Sequence, residues 1–319
     1  MSVDFAVRLT GCMPYLGIEI GGTKLQVVAG TDTGIILERF RAVIDVKAGG
    51  EGIRQQIAGA LPGLIERHRP EAVGVGFGGP VDWKKGVICC SHQVAGWHDF
   101  GLGDWLRGEC GLPIAVDNDA NVAALGEYCF GAGRGSNPMF WINMGSGIGG
   151  GLVVDGAIYH GVSPGETEVG HIRLGKSGET LESRCSGWAV DGRIREVVGR
   201  HPLGRLASLI SGRTGGEARY LSEALEARDP VAEGLLADVA DDLAFGLSHV
   251  VHLIHPEVVV VGGGLSLIGE PLRSAIARAL PQYVMDAFKP GPRVVLAGLK
   301  EDSVTCGALA LAAARMRPA

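Results

Sequence analysis

Residues 16–24 read LGIEIGGTK, and residues 139–154 read MFWINMGSGIGGGLVV. Each stretch is an apolar run, a glycine turn and a second apolar run. Leu16–Ile20 and Leu25–Ala29 flank Gly21-Gly22-Thr23-Lys24, which predicts strand, turn, strand. In the second stretch Met139–Met144 is a strand, Gly145–Gly151 a glycine loop and Leu152–Val154 a strand. Asp155-Gly156 is a hairpin turn signal, after which Ala157–His160 returns. After the first stretch come a strand at Ile35–Val43, a helix at Glu51–Arg67 and a strand at Ala72–Phe77 ending in Gly78-Gly79-Pro80. A strand at Leu112–Val116 follows, then a helix at Asp119–Phe130 with apolar spacing through Val122, Leu125 and Cys129. After the second stretch come helices at Gly187–Val198 and Val231–His255, a buried strand at Glu257–Val261 and a loop at Gly262–Gly264. A helix at Glu270–Leu280, a strand at Arg293–Leu296 and a helix at Val304–Met316 close the chain.

The two halves open alike and then alternate strand and helix, the pattern of an internal duplication. The expectation is two α/β domains facing each other across a cleft. They are placed at residues 16–118 and 119–303, with the last helix, 304–316, packing back on the first domain. Residues 1–15 carry no pattern and are expected to be an extension, with Met13 an alternative start.

The chain has 319 residues, 46% of them hydrophobic and 20% charged, which is ordinary for a folded soluble protein. Glycine departs from the ordinary: 52 of them, clustered beside apolar runs, against a usual share of about 7%. Clustered glycine beside strands marks tight loops where backbone approaches a ligand. The net charge of −6 without a basic run argues against nucleic acid as the main partner. The seven cysteines, Cys12, Cys89, Cys90, Cys110, Cys129, Cys185 and Cys306, are odd in number and form no CxxC pair. They read as reduced thiols of a cytoplasmic protein. No signal peptide and no membrane span is expected.

Several motifs carry two readings each. Gly21-Gly22-Thr23-Lys24 is either a plain hairpin or a turn whose backbone N–H groups approach phosphate, with a hydroxyl and an ammonium added. Gly145-Ser146-Gly147-Ile148-Gly149-Gly150 fits GxGxxG, but strand and hairpin follow it instead of the helix that dinucleotide binding needs. It reads better as a second backbone nest for polyphosphate. Gly262-Gly263-Gly264 is either the nucleoside end of a nucleotide site or a tight strand-to-helix turn. Asp117-Asn118-Asp119-Ala120-Asn121 fails as a calcium loop, since Val122 and Tyr128 stand where glycine and glutamate are required. It is either a helix cap or a carboxylate at a strand's carboxyl end, kept ionised by a helix N-terminus and able to accept a hydroxyl proton. Glu166, Glu168, His171 and Glu182 are either a solvated loop or a set of sugar contacts. Zinc is a third reading for His171, with few further ligands nearby.

Taken together, Leu16–Lys24, Gly74–Pro80 (GVGFGGP), Val116–Glu127 (VDNDANVAALGE), Gly145–Gly161, Glu168–His171 (EVGH), Leu181-Glu182 and Val258–Gly264 resemble the ROK family of sugar kinases and repressors, in the actin-like ATPase superfamily. The resemblance runs in family order over nearly the whole chain from residue 16. It implies an α/β fold of two actin-like (RNase H-like) domains flanking a central cleft, with ATP and Mg²⁺ as cofactors. It also implies Asp119 as catalytic base and Gly79, Asn118, Asp119, Glu168, His171 and Glu182 as sugar contacts. Gly21, Gly22, Thr23, Lys24, Gly145, Ser146 and Gly147 would hold phosphates, and Gly262, Gly263 and Gly264 the adenosine side. A homodimer or homotetramer is implied as well.

Three departures qualify the resemblance. Glu19 stands where the family carries the aspartate that places Mg²⁺ through water, and octahedral Mg²⁺ is strict about geometry. Gly175–Thr180 replaces the family's zinc cysteines, so zinc is expected to be absent, with His171 keeping a sugar-facing role and the loop held by packing or hydrogen bonds. Gln93, in Ser91–Trp97, stands where asparagine is frequent in a loop that lines the sugar pocket. With about fifteen residues ahead of Leu16, no DNA-binding module is expected. The expected activity is phosphorylation of a hexose, glucose first. Fructose, mannose or an N-acetylated hexosamine is the close alternative, and a non-catalytic sugar sensor the distant one.

Overall fold

The computed structural model describes residues 13–91 and 93–316; residues 1–12 of the expected extension, Cys12 among them, lie outside the described residues, whereas Pro14 and Tyr15, also expected in the extension, belong to the first strand, paired with Thr31 and Gly30. The chain divides into two compact units, one of residues up to Asp119 together with those from Thr305 onward, the other Ala120–Val304.

The first unit is built on β1 (Pro14–Ile20), β2 (Lys24–Thr31), β3 (Ile36–Val43), α1 (Gly49–His68), β4 (Val73–Phe77), a small hairpin of β5 (Val81–Asp82) and β6 (Val87–Ile88), α2 (Leu102–Cys110) and β7 (Ile114–Asn118). Its main sheet has the order β3-β2-β1-β4-β7. The β1–β2 and β2–β3 pairs are antiparallel, whereas β1, β4 and β7 run parallel. Alternate residues Leu16, Ile18 and Ile20 join Ile53, Ile57 and Leu61 of α1 in the core, as a strand's two-residue period against a helical stripe requires.

The second unit repeats the scheme. It contains α3 (Asp119–Phe130, from Ala120 onward), β8 (Met139–Met144), β9 (Ile148–Val154), β10 (Ala157–Ile158), α4 (Leu181–Cys185), α5 (Gly187–Arg200), α6 (Arg205–Ile210), α7 (Leu221–Glu226), α8 (Pro230–Ile254), β11 (Val258–Gly262), α9 (Glu270–Ala279) and β12 (Arg293–Leu296). Its sheet order is β10-β9-β8-β11-β12, the same pattern of antiparallel and parallel pairs as in the first unit. The longest helix, α8, is capped by Asp229, whose carboxylate accepts from Val231 and Ala232 N–H, and has proline in its first turn.

The last helix, α10 (Ser303–Arg315), lies against the first sheet from Thr305 onward, where Leu309, Ala312 and Ala313 cluster with Tyr15, Val28 and Ala72. Glycine admits it: a Cβ on Gly17 would stand 2.9 Å from Thr305 O, and one on Gly74 would collide with Ala308 O.

Two sequence expectations need correction. The glycine loop after β8 is shorter than residues 145–151, because Gly149, Gly150 and Gly151 pair with Asn143, Ile142 and Trp141 in the β8–β9 ladder. These glycines are strand residues, and a Cβ on Gly151 would stand 2.7 Å from the Ala124 methyl of α3. The strand at 258–262 likewise takes in Gly262, which pairs with Asn143. The helix α2 was not anticipated at all, its run of Leu102, Trp105 and Leu106 being hidden among glycines and charges. No helix among the described residues is long and apolar enough to cross a membrane.

Candidate active site

In the first unit the predicted residues lie at the carboxyl ends of three neighbouring parallel strands. Ile20, Phe77 and Asn118 stand in register across β1, β4 and β7, so the segments that follow them emerge side by side, where open α/β sheets bind ligands. Gly78 N–H donates to Ile20 O at 2.8 Å. The Asn118 side-chain amide donates to Gly79 O at 3.2 Å, and its own N–H donates to Asp117 Oδ1 at 2.8 Å. Asp119 is the first residue of α3 and only partly buried. One of its carboxylate oxygens lies 3.4 Å from where a Gly78 Cβ would be. A helix N-terminus favours the ionised carboxylate, the form that accepts a proton.

The Gly21–Lys24 turn closes with a Gly21 N–H to Lys24 O bond of 3.0 Å. Thr23 is exposed. The Gln93 side chain lies directly over Gly22, in the space a Cβ would take, so the loop of the third sequence departure rests on this turn. Lys24 Nζ pairs with Glu19 Oε1 at 3.0 Å, while Glu19 Oε2 accepts from Gln26 Nε2 at 2.6 Å. Glu19 is 8% exposed and has both oxygens engaged by protein donors.

In the second unit a parallel pair sets the arrangement. Gly145–Gly147 follows β8, and Gly263-Gly264 follow β11. Gly263 has φ +82°, and a Cβ there would stand 2.6 Å from the Met144 carbonyl carbon; only glycine permits both. Gly263 therefore packs on Met144 at the end of β8, the residue that leads into the Gly145 turn. Glu182, in the first turn of α4, accepts the Ile148 N–H at 2.8 Å, which puts it against Gly147. Thr180 and Ser183 form a reciprocal cap at that helix start. Glu168 precedes and His171 ends a short 3-10 turn; both are exposed and approach each other to 3.9 Å.

A match to the ROK family covers residues 15–315. The chain belongs to the ROK family. It is 32% identical over 308 residues to a glucokinase of Halalkalibacterium halodurans, covering 92% of this chain and 93% of that protein. A crystal structure of a ROK family glucokinase from Streptomyces griseus, in complex with glucose and AMPPNP, superposes with a TM-score of 0.83 at 32% identity, covering 94% of this chain and 99% of the other. A ROK hexokinase from Thermus thermophilus superposes with a TM-score of 0.78 at 29% identity, covering 95% and 98%. The fold is that of ROK sugar kinases, two α/β units of actin-like type.

Against this family background, the segment 172–181, which lacks the cysteines, is held by hydrogen bonds. Leu174 N–H donates to Glu179 O and Leu181 N–H to Ile172 O, both at 2.9 Å, and Arg173 bridges Thr180. No cluster of three metal-ligating side chains is found among the described residues.

Three residues of this ROK-family chain escaped the sequence reading: Gln26, Glu127 and Trp188. Gln26 stands within an apolar strand run, and a lone amide in such a run is the signal that it must be partnered inside. Glu127, on α3, accepts four hydrogen bonds while wholly buried. Trp188 follows the Ser186-Gly187 cap of α5 and is exposed.

Proposed function

We propose that the chain is a cytoplasmic, ATP-dependent hexose kinase that forms a sugar phosphate and ADP, with glucose and its 6-hydroxyl the first substrate to test. The observation that carries this reading is Asp119, a carboxylate at a helix start, beside Asn118 and Gly78-Gly79 and at the same strand ends as the Gly21–Lys24 turn.

The reaction is an in-line displacement. The sugar hydroxyl oxygen forms a bond to the γ-phosphorus, the bond from that phosphorus to the β–γ bridging oxygen breaks, and ADP leaves. Asp119 accepts the hydroxyl proton. Asn118, Glu168, His171 and Glu182 take the sugar's other hydroxyls, which need donors and acceptors together. The N–H groups of Gly21–Thr23 and Gly145–Gly147 and the Lys24 ammonium offset phosphate charge, positioning and electrostatics being most of what this chemistry demands. Mg²⁺, when bound with the nucleotide, supplies further charge neutralisation. Gly263-Gly264 lie toward the nucleoside.

ADP release measured with Mg-ATP against glucose, fructose, mannose and N-acetylated hexosamines tests the proposal. Release that depends on one sugar names the substrate. No release with any sugar, in a protein that still binds a sugar, overturns the kinase reading in favour of a sensor.

A further inference from the structure

The chain has five tryptophans. Trp97 and Trp141 are buried, and Trp83 and Trp105 pack on the first unit's core. Trp188 alone stands in the open, 69% exposed, although its indole is the largest apolar group a side chain offers.

Its position is fixed by backbone. Gly187 N–H donates to Gly145 O at 2.7 Å, and a Cβ on Gly187 would stand 2.9 Å from that oxygen. The start of α5 is thus pinned to the glycine turn assigned to phosphate. The Cα of Trp188 is one peptide further, about 3.8 Å from that of Gly187. Helical side chains lean toward the helix N-terminus, which here is the side of the Gly145 turn. Four residues on, where a neighbour on the same helix face would cover the indole, stands Gly192, whose Cβ direction is open but for the tip of Arg195 at 3.8 Å.

An uncovered aromatic face within a nucleoside's span of a phosphate turn has a natural occupant, because every nucleobase presents a flat π-face and stacking on tryptophan needs no directed hydrogen bond. From this we infer that Trp188 is the platform on which the base of the phosphate donor stacks, a specificity residue for nucleotide over bare polyphosphate. The inference rests on the kinase reading above, in that Gly145–Gly147 hold phosphate.

Equilibrium titration of ADP into wild type, Trp188→Ala and Trp188→Phe tests it, with hexose binding, thermal midpoint and sedimentation followed in parallel. Trp188→Ala is expected to weaken ADP binding roughly tenfold, and Trp188→Phe to recover most of that loss, with hexose binding and midpoint unchanged. Unchanged ADP affinity in Trp188→Ala, or equal losses in both variants, overturns the platform. So does a change of oligomeric state, which makes the indole a subunit contact. Wild type that binds no ADP at all fails the kinase reading itself, an outcome distinct from these.

Discussion

Glu19 and Gln26 are cross-strand partners in the β1–β2 ladder, and the Gln26 amide donates to the Glu19 carboxylate at 2.6 Å. The row continues across the sheet. Gln26 Oε1 accepts from Arg39 at 2.7 Å and from Arg41, its ladder partner on β3, at 2.8 Å. The other Glu19 oxygen pairs with Lys24 at 3.0 Å. Glutamate, one methylene longer than aspartate, thus reaches a lysine and an amide at once, and the wholly buried Gln26 relays two guanidinium groups to it.

Gln26→Leu keeps the volume and removes both ends of this relay. A buried carboxylate oxygen and two guanidinium groups then lose one hydrogen bond each, at about 1–3 kcal/mol in all. The urea midpoint is expected to fall accordingly, and the KM for ATP to rise as Lys24 is held less firmly. An unchanged midpoint would show that water replaces the amide at no cost.

Asp119→Asn removes the proton acceptor with little change of shape. A general base contributes about 10²–10⁴-fold, so kcat is expected to drop by that much. The hexose Kd should stay within a few-fold, because Asn118 and Gly79 keep their bond. Near-normal turnover would sink the assignment of Asp119.

Two glycine substitutions separate site geometry from folding. A Cβ on Gly147 would meet Glu182 Oε2 at 2.6 Å, the end of a flexible side chain that can swing aside. Gly147→Ala should leave stability within about 1 kcal/mol yet move Glu182 off the Ile148 N–H and raise the hexose KM. Gly263→Ala meets Met144 backbone at 2.6 Å with φ at +82°, where nothing can yield. Strain and overpacking of about 1–3 kcal/mol each should appear as a lower thermal midpoint, read by calorimetry. Equal losses of stability in the two variants would contradict this contrast.

The sequence carried the fold where the period of apolar residues was clean. The runs at 16–20, 139–144 and 258–261 were read as strands because glycine bounds them, and each is one. Where glycine does two jobs, its composition misleads. Gly149–Gly151 look like a loop in composition but are held in a ladder, and what leaves room only for glycine at Gly150 and Gly151 is Thr167 and the Ala120–Ala124 turn of α3, which no local pattern reveals. Motif order singles out Asp119 and Glu182 as site candidates, and the fold places Asp119 at a helix start beside Asn118 and Glu182 against Gly147. The buried contacts of Gln26 and Glu127 carry no such signal, because their partners Glu19 and Gly298 lie 7 and 171 residues away and only the folded chain brings them near.

Cys185 offers a check on burial that needs no assay of activity. It is wholly buried, and burial, reinforced by the Asp242 carboxylate, pushes its thiol up to about 12. The thiolate is the nucleophile, so at pH 8 Cys185 should resist iodoacetamide in the folded protein and react once urea unfolds the chain. Peptide mass spectrometry reads both. Labelling of Cys185 under native conditions would mean that α4 and α8 part far more readily than their packing implies.

Glu127 should be among the residues on which stability depends most. Its two oxygens accept from Ala132 N–H at 2.8 Å and Gly298 N–H at 2.9 Å, and from Leu299 N–H at 2.9 Å and Ser303 Oγ at 2.8 Å. One carboxylate thereby ties the end of α3 to the connection that leads into α10, the two helices in which the chain passes from one unit to the other. Glu127→Ala leaves four buried donors without this acceptor and is expected to cost at least about 3 kcal/mol. Glu127→Gln should cost less, since one oxygen still accepts, but not nothing, since its NH₂ group must face N–H donors. Urea unfolding of the three proteins checks the order. A loss below about 1 kcal/mol in Glu127→Ala would mean that the 298–303 connection finds other acceptors, and that the carboxylate is dispensable to it.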